Sequence, residues 1–399
     1  MTSRIALFFG EGFRVFFFAA GAFGVLSMLV WVMWLGVHYL GPVVSEMPFG
    51  MPAHQWHSHE MIFGYAGAAL GGFLLTAVPN WTGSQAARHR FITAAAGVWL
   101  AGRLAIWCSG TLPLWLVAGL DLAFLPILAA KIGSQLWRRP KPQNMMFLLF
   151  IAMIWVSNLM VHLQWLGLTK ATLDAGMRGG LLGVCAMIAV LGGRVTPGFT
   201  RNAMKRAGVP EEGWPVTVPL AEKAALGLAI VLPLAVLTGL PQAAVGGLAV
   251  LAGAVQILRI ARWKWRWTLD QPILLALHLG MAMLGAGLIL WGLSLLGTGS
   301  EVAALHILGI GAVGGMTLAV MSRAVLGHTG RPLVAPSPVA AGYLMLAVAA
   351  VLRWLASTLP ADWYFPLVLA SGVLWVAVFV LYTVSIWPAV TNVRLPSRA

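Results

Sequence analysis

Residues 224–258 read AALGLAIVLPLAVLTGLPQAAVGGLAVLAGAVQIL and contain no Asp, Glu, Lys or Arg. One transmembrane helix needs about 20 apolar residues, so this stretch is too long for a single crossing. Thr238, Gly239 and Pro241 lie in its middle, and clusters of such residues interrupt helices and form turns. The stretch therefore predicts two membrane helices joined by a tight hairpin.

Uncharged apolar stretches recur along the chain of 399 residues, at 15–45, 61–87, 142–169, 271–300 and 363–393. Only 9% of the residues are charged, against roughly 25% in a soluble domain, which excludes a soluble globular protein. Breaks at charged, Pro-rich and Gly-rich segments predict an all-α integral membrane protein, a single domain over 1–399 with about twelve helices. The predicted helices are 13–39, 57–80, 91–109, 112–131, 145–166, 177–196, 217–238, 241–260, 271–296, 301–324, 336–357 and 363–387.

Basic residues outnumber acidic ones and give the chain a net charge of +14. They lie in short segments between apolar stretches rather than on one face of a soluble fold, so no nucleic-acid partner is predicted. Short cytoplasmic loops of membrane proteins are rich in Lys and Arg. Here the basic clusters follow the even-numbered helices, as at 88–90, 131–141, 201–206 and 259–266. This spacing predicts a multi-pass membrane protein with both termini in the cytoplasm.

The second and tenth predicted helices share a sequence pattern. Alignment of His59 with His306 also pairs Gly64 with Gly311, Gly67 with Gly314, Thr82 with Thr329 and Gly83 with Gly330. The end of the sixth helix, Pro197–Thr200, parallels Pro79–Thr82. These matches predict three four-helix repeats, 13–131, 145–260 and 271–387, with a functional site between repeats. Chance similarity between helices rich in small residues is the alternative.

Histidines within the predicted helices are functional candidates, because ionisable groups are costly in lipid. His59 and His306 are predicted at the same depth near the outer boundary. His162 lies toward the same side, and His278 lies deeper or nearer the cytoplasm. His57 points to a different helix face from His59, because residues two apart do not share a face. Interfacial histidines at headgroup depth are the plain alternative.

Paired histidines from two membrane helices at matching depth suit a non-covalent haem, because axial nitrogens approach iron from opposite faces. His59 and His306 meet this requirement, and no Cys-x-x-Cys-His sequence is present, so the predicted cofactor is haem b. Arg103 either contacts a haem propionate or pairs with Asp121 on the next helix. Glu60 lies three residues from His57 and is predicted to orient that imidazole.

The segments that carry the polar clusters resemble the NnrS family over essentially the whole chain. They are WHSHEMIFG at 56–64, LTAVPNWTG at 75–83, GRVTP at 193–197 with TRN at 200–202, and MSRA with LGHTGR at 321–331. The resemblance implies a twelve-helix protein of the bacterial inner membrane that contains haem and copper. It also implies a link to nitric oxide in denitrifying or nitrosatively stressed cells.

The three four-helix units are also similar to the catalytic subunit of haem-copper oxidases and nitric oxide reductases. In that subunit, histidines of helices 2 and 10 hold the low-spin haem, a role that falls here to His59, or less readily His57, with His306. Helices 6 and 7 of this chain contain no histidine, so the usual copper ligands are missing. Copper would need other donors, among them His57, His162 and His278, and the remaining candidates are His54, Cys185 and methionines.

Three functions follow as expectations. The first is a haem b protein that binds nitric oxide or turns it over as a nitric oxide oxidoreductase, protecting cells from nitrosative stress. The second is a sensor or electron-transfer protein whose haem keeps both histidines and performs no turnover. The third is a transporter of metal or nitrosyl-iron species. The sequence identifies no electron donor.

Overall fold

A computed structural model describes residues 3–42 and 47–396 of the chain. Residues 1–2, 43–46 and 397–399 of the predicted domain lie outside these ranges. The described residues form helices and no strands, which confirms the all-α prediction. The long helices are α1 Gly12–Tyr39, α2 Ala53–Thr82, α3 His89–Trp107, α4 Leu114–Leu136, α5 Pro142–Trp165, α6 Leu173–Arg206, α7 Pro219–Leu237, α8 Gln242–Ala261, α9 Pro272–Leu295, α10 Glu301–His328, α11 Ser337–Ala356 and α12 Tyr364–Thr391.

Among the described residues, 11 helices are long and apolar enough to cross a membrane. They indicate a multi-pass membrane protein. The helix α3 forms where the sequence predicts it but is not one of the 11, and it carries Arg90 and Arg103. The count of twelve crossings and the three-repeat arrangement therefore stay predictions.

The hairpin predicted within 224–258 is confirmed. The helix α7 ends at Leu237 and α8 begins at Gln242. Gly239 adopts the left-handed conformation, with φ of 70°, and the N–H of Leu240 donates to the carbonyl of Ala235 at 2.9 Å. Glycine is favoured at this position after a helix because it has no Cβ to clash with the backbone.

The described chain divides into two compact units. The first comprises the described residues within 1–180, 321–333 and 379–399, and the second comprises 181–320 and 334–378. In the second unit, α8 and α9 pack through glycines. A Cβ on Gly253 would lie 2.5 Å from the carbonyl oxygen of Gly285, and one on Gly292 would lie 2.6 Å from that of Gly246. Small residues allow such close packing of helices in membranes.

A buried arginine ties the first helix of the first unit to the last. Arg14 of α1 donates to the carbonyls of Ala389 at 3.2 Å, Val390 at 2.9 Å and Asn392 at 3.0 Å. These carbonyls lie at the C-terminal end of α12, where the helix dipole favours a cation. Arg14 also donates through Nε to Glu11 at 2.9 Å.

Arg14→Ala is expected to destabilise the protein by about 1–3 kcal/mol, because buried carbonyls lose their donor. The thermal midpoint in detergent should fall, and the C-terminal segment after α12 should become sensitive to limited proteolysis. Arg4→Ala is the matched control, because Arg4 is exposed. An unchanged proteolysis pattern in Arg14→Ala would contradict the expectation.

Candidate metal centre in the first unit

The site begins at a change of helix type within α2. Residues Ala53–His59 are α-helical, and Glu60–Tyr65 form a π-helical turn before the α-helix resumes at Ala66. Single π turns inside α-helices are rare and frequently lie at functional sites. The Nδ1 atom of His59 donates to Oε1 of Glu60 at 2.9 Å, so these consecutive residues act together.

Two histidines and one aspartate converge from α2, α4 and α5. Oδ2 of Asp121 lies 3.2 Å from Nε2 of His59 and 2.8 Å from Nε2 of His162. The exposed fractions of His59, Asp121 and His162 are 0%, 5% and 2%. Their three donor atoms lie within 4.8 Å of one another and are able to hold one metal ion. We call these three residues the triad.

Three polar side chains surround the triad. Arg103 of α3 contacts the carboxylates of both Glu60 and Asp121. Asn158, one turn before His162 on α5, donates through Nδ2 to Oδ2 of Asp121 at 2.7 Å. Its Oδ1 lies 2.9 Å from Nε2 of His59. Side chains from four helices thus form one buried network.

Two glycines allow the helices to approach closely at this network. A Cβ on Gly64 would lie 2.9 Å from a guanidinium nitrogen of Arg103, and one on Gly102 would lie 3.1 Å from Cα of Asp121. The indole of Trp99 donates to the carbonyl of Gly64 at 3.0 Å and holds α3 against α2. Because Gly64 and Gly102 have no side chains, Arg103 and Asp121 come into contact.

The charges of the network do not balance when both imidazoles are neutral. Glu60 and Asp121 contribute two negative charges and Arg103 contributes one positive charge, while neutral imidazoles contribute none. Burial of unpaired charge is costly. One further positive charge, a proton or a metal cation, is therefore needed.

The hydrogen bonds indicate where that charge belongs. Nδ1 of His59 donates to Glu60, so in the neutral ring Nε2 carries a lone pair. Oδ1 of Asn158 and Oδ2 of Asp121, at 2.9 and 3.2 Å, are also acceptors. Three acceptors facing one another repel unless a cation lies between them, so the missing positive charge belongs at Nε2 of His59.

The spacing also suits a metal ion. Two ligands at right angles around a metal with bonds of about 2.1 Å are separated by about 3 Å. The two distances to Asp121, 2.8 and 3.2 Å, match that separation. Two histidines and one carboxylate are typical ligands of non-haem iron, and imidazole also suits zinc, copper and nickel.

The NnrS protein family profile matches residues 7–394. The chain belongs to the NnrS family. No curated protein matches it. Membership in the NnrS family suggests a role linked to the nitric oxide response.

In this NnrS chain the predicted pairing of Arg103 with Asp121 is confirmed. The sequence predicts that Glu60 orients His57, whereas the structure places the Glu60 carboxylate against His59 and Arg103. The ring of His57 is buried and stacks on Trp31 with centroids 4.6 Å apart. The π turn beginning at Glu60 departs from the regular helix that the prediction assumes.

The other predicted metal residues of the NnrS chain lie in the second unit. His278 is buried, and its Nε2 lies 3.0 Å from the hydroxyl of Thr200. His306 is half-buried, with Nδ1 2.7 Å from the carbonyl of Val302, and a second π-helical stretch, Ile307–Gly314, follows it directly. Because His59 belongs to the first unit and His306 to the second, their axial pairing stays a prediction.

Sequence reasoning named His59, His162 and Asp121 separately but did not join them, and it missed Asn158. The available signal was the presence of polar side chains in spans that are otherwise apolar. Of the glycines paired in the alignment of the second and tenth helices, Gly311 and Gly314 lie against neighbouring side chains. A Cβ on Gly311 would meet Met283 at 2.9 Å, and one on Gly314 would meet Trp375 at 2.6 Å.

Proposed function

We propose that this NnrS-family membrane protein binds nitric oxide at a metal ion held by the triad, as part of the response to nitrosative stress. The observation that carries the proposal is the buried set of two histidines and one carboxylate whose donor atoms lie within 4.8 Å of one another. Nitric oxide is small and apolar and reaches such a site through the bilayer. Redox turnover of nitric oxide would also require a separate electron donor.

The sequence predicts that the cofactor is haem b, bound between His59 and His306. The surroundings of His59 do not fit a haem, because side-chain oxygens crowd the ring nitrogen that would face the iron. Nδ1 contacts Glu60, and Asn158 and Asp121 lie within 3.2 Å of Nε2. An iron inside a porphyrin would require those side chains to leave. The geometry therefore favours an ion without porphyrin, with iron and copper as the candidates.

A metal ion held by His59, Asp121 and His162 would supply a binding place for nitric oxide. The protein groups have separate tasks. Glu60 holds the His59 ring with Nε2 toward Asp121 and Asn158, the orientation that a metal-bound histidine would need. Arg103 neutralises one carboxylate charge. His162 would have to carry its single proton on Nδ1 instead of Nε2 to offer Nε2 as a ligand, because a metal ion binds the neutral imidazole through its lone pair.

Metal analysis of detergent-purified protein tests the proposal. We expect about one iron or copper ion per chain and a change in its electron paramagnetic resonance spectrum on addition of nitric oxide. His162→Gln should lose both the ion and the spectral change, because a metal ligand has been removed. His54→Gln is the control, because His54 is exposed near the same end of α2.

Two results would contradict the proposal. One is full metal content in His162→Gln. The other is a b-type haem spectrum in the pyridine assay that disappears in both His59→Ala and His306→Ala, which would establish the haem form. Uptake of metal into proteoliposomes by protein purified without any cofactor would favour a transporter instead.

Trp165 covers the triad at the end of α5. Its ring centroid lies 5.1 Å from that of His59 and 5.3 Å from that of His162, and its indole donates to Gln55 at 3.0 Å. The side chain is half-buried, so it separates the metal position from the surface.

Trp165→Ala is expected to release the bound metal to a chelator at least about tenfold faster than wild type, because removal of a large ring opens a path to solvent. Trp165→Phe keeps an aromatic cover and should stay close to wild type. The measurement is the rate of metal transfer to a coloured chelator. Equal rates for wild type and Trp165→Ala would contradict the covering role.

We also propose that the protein lies in the bacterial inner membrane with both termini in the cytoplasm. The support is the number of apolar helices and the basic clusters between them. Fusions of reporters that are active on only one side of the membrane test the orientation at each terminus. A periplasmic signal at either terminus would overturn it.

A further inference from the structure

A second polar cluster lies in the second unit, at the ends of α6, α8 and α9. His278 lies near the start of α9, Thr196 and Thr200 lie one turn apart near the end of α6, and Trp263 follows α8. The exposed fraction is 3% for His278 and 0% for each of the other three. The rings of Trp263 and His278 have centroids 6.3 Å apart.

The hydrogen bonds determine which nitrogen of His278 carries the proton. The hydroxyl of Thr200 donates to the carbonyl of Thr196 at 2.9 Å. Its oxygen is therefore the acceptor in the contact with Nε2 of His278 at 3.0 Å. A neutral imidazole carries one proton, so Nδ1 of His278 carries a lone pair and acts as an acceptor.

Three atoms of this cluster have no hydrogen-bond partner within the part of the chain that the structure describes. They are Nδ1 of His278, Nε1 of Trp263 and Oγ1 of Thr196. The first is an acceptor, the second a donor and the third both. Buried polar groups are nearly always paired, so three together indicate a partner that is not a protein group.

The chemistry of the three atoms identifies the class of that partner. A molecule that accepts from an indole N–H and donates to an imidazole nitrogen needs both functions in a small volume, and water has both. A metal ion does not suit the indole N–H. Of the described residues, only the triad forms a metal-competent group of histidine, cysteine and acidic side chains.

We propose that the second unit holds an internal water site between His278, Trp263 and Thr196. The site lies where α8 leads into α9, beside the basic segment 259–266 that the sequence predicts on the cytoplasmic side. Water at Nδ1, together with the Thr200 hydroxyl at Nε2, gives His278 a hydrogen-bond partner on both ring nitrogens. This water site does not depend on the triad in the first unit.

X-ray radiolytic footprinting tests this site, because hydroxyl radicals formed from a bound water oxidise the side chains around it even when they are buried. The chain offers an internal control. Trp291 is also 0% exposed and lies in the same unit, but its indole donates to Glu301 at 3.1 Å. In intact protein prepared in water labelled with oxygen-18, we expect Trp263 to take up label several times faster than Trp291.

Thr196→Val removes the unpaired hydroxyl and keeps the shape of the side chain. We expect this variant to lower the labelling rate of Trp263 toward that of Trp291, with the Trp291 rate unchanged. Equal rates at Trp263 and Trp291 in wild-type protein would overturn the proposal, whether or not the variant folds. Protection of Trp263 by an added metal ion, reversed by a chelator, would also overturn it in favour of a metal.

Discussion

Asp121→Ala is expected to abolish metal binding and to lower the free energy of unfolding by about 3–5 kcal/mol, the usual cost of leaving a buried ion-pair partner unpaired. Asp121 accepts from Asn158 and His162 and pairs with Arg103, and all of these side chains are buried. Its removal leaves Arg103 with a single carboxylate, that of Glu60. It also leaves two imidazoles without the oxygen that brings them together.

Asp121→Asn separates the two effects. The amide keeps the shape of the side chain and an oxygen that can accept from Arg103, so most of the fold should survive. The negative charge is lost, so the metal should still be absent. Asp174→Ala is the control for a general effect of losing a carboxylate, because Asp174 is exposed at the start of α6.

Metal content by mass spectrometry and thermal unfolding in detergent are the two measurements. We expect wild type and Asp174→Ala to contain the metal and both Asp121 variants to contain almost none. Metal retained by Asp121→Asn at the wild-type level would show that Asp121 is not a ligand. A stability of Asp121→Ala equal to that of Asp174→Ala would show that Arg103 finds another partner.

Gly193→Ala is expected to have the second large effect, in the second unit. A Cβ on Gly193 would overlap a guanidinium nitrogen of Arg259. Arg259 is 4% exposed and donates to the carbonyl of Ala189 at 3.0 Å and to Gln256 at 2.7 Å. It also donates twice to Glu222, at 3.0 and 2.6 Å. The added methyl group must displace this guanidinium.

The displacement is expected to cost about 3 kcal/mol or more, because a buried cation loses its partners. Gly198→Ala is the matched control on the same helix, since a Cβ there has nothing within 4 Å among the described residues. Alanine favours a helix over glycine, so that variant should be neutral or slightly stabilised. Thermal unfolding of the two variants is the measurement. Equal midpoints would mean that the Arg259 side chain moves aside without a loss of stability.

Much of the fold follows from residues close together in the sequence. The hairpin between α7 and α8 depends on Gly239 and Pro241, whose backbone preferences do not need the rest of the chain. The end of α2 at Gly83, with φ of 64°, has the same cause. Apolar segments predict membrane helices, because the length and hydropathy of a segment determine whether it can span a bilayer.

The candidate site was predictable only in part. His59, His162 and the pairing of Arg103 with Asp121 were named because polar side chains in apolar spans are costly and need partners. The partner of Glu60 was predicted incorrectly, because the prediction assumed a regular α-helix and the π turn starts at that residue. No local pattern predicts that turn.

The sequence by itself determined the membrane class, the approximate helix positions and the hairpin, because these depend on composition and on neighbouring residues. The end of α6 is an exception, since the helix continues to Arg206 through the basic cluster at 201–206 that was predicted to lie between helices. Family membership also follows from the sequence alone. Only the tertiary structure decided that His59, Asp121 and His162 share one centre and that Asn158 joins them. These residues come together through packing between positions up to about a hundred residues apart. Gly64 and Gly102 allow the helices that carry them to approach closely. Contacts of that range are selected by the fit of whole helices, which no short stretch of sequence encodes.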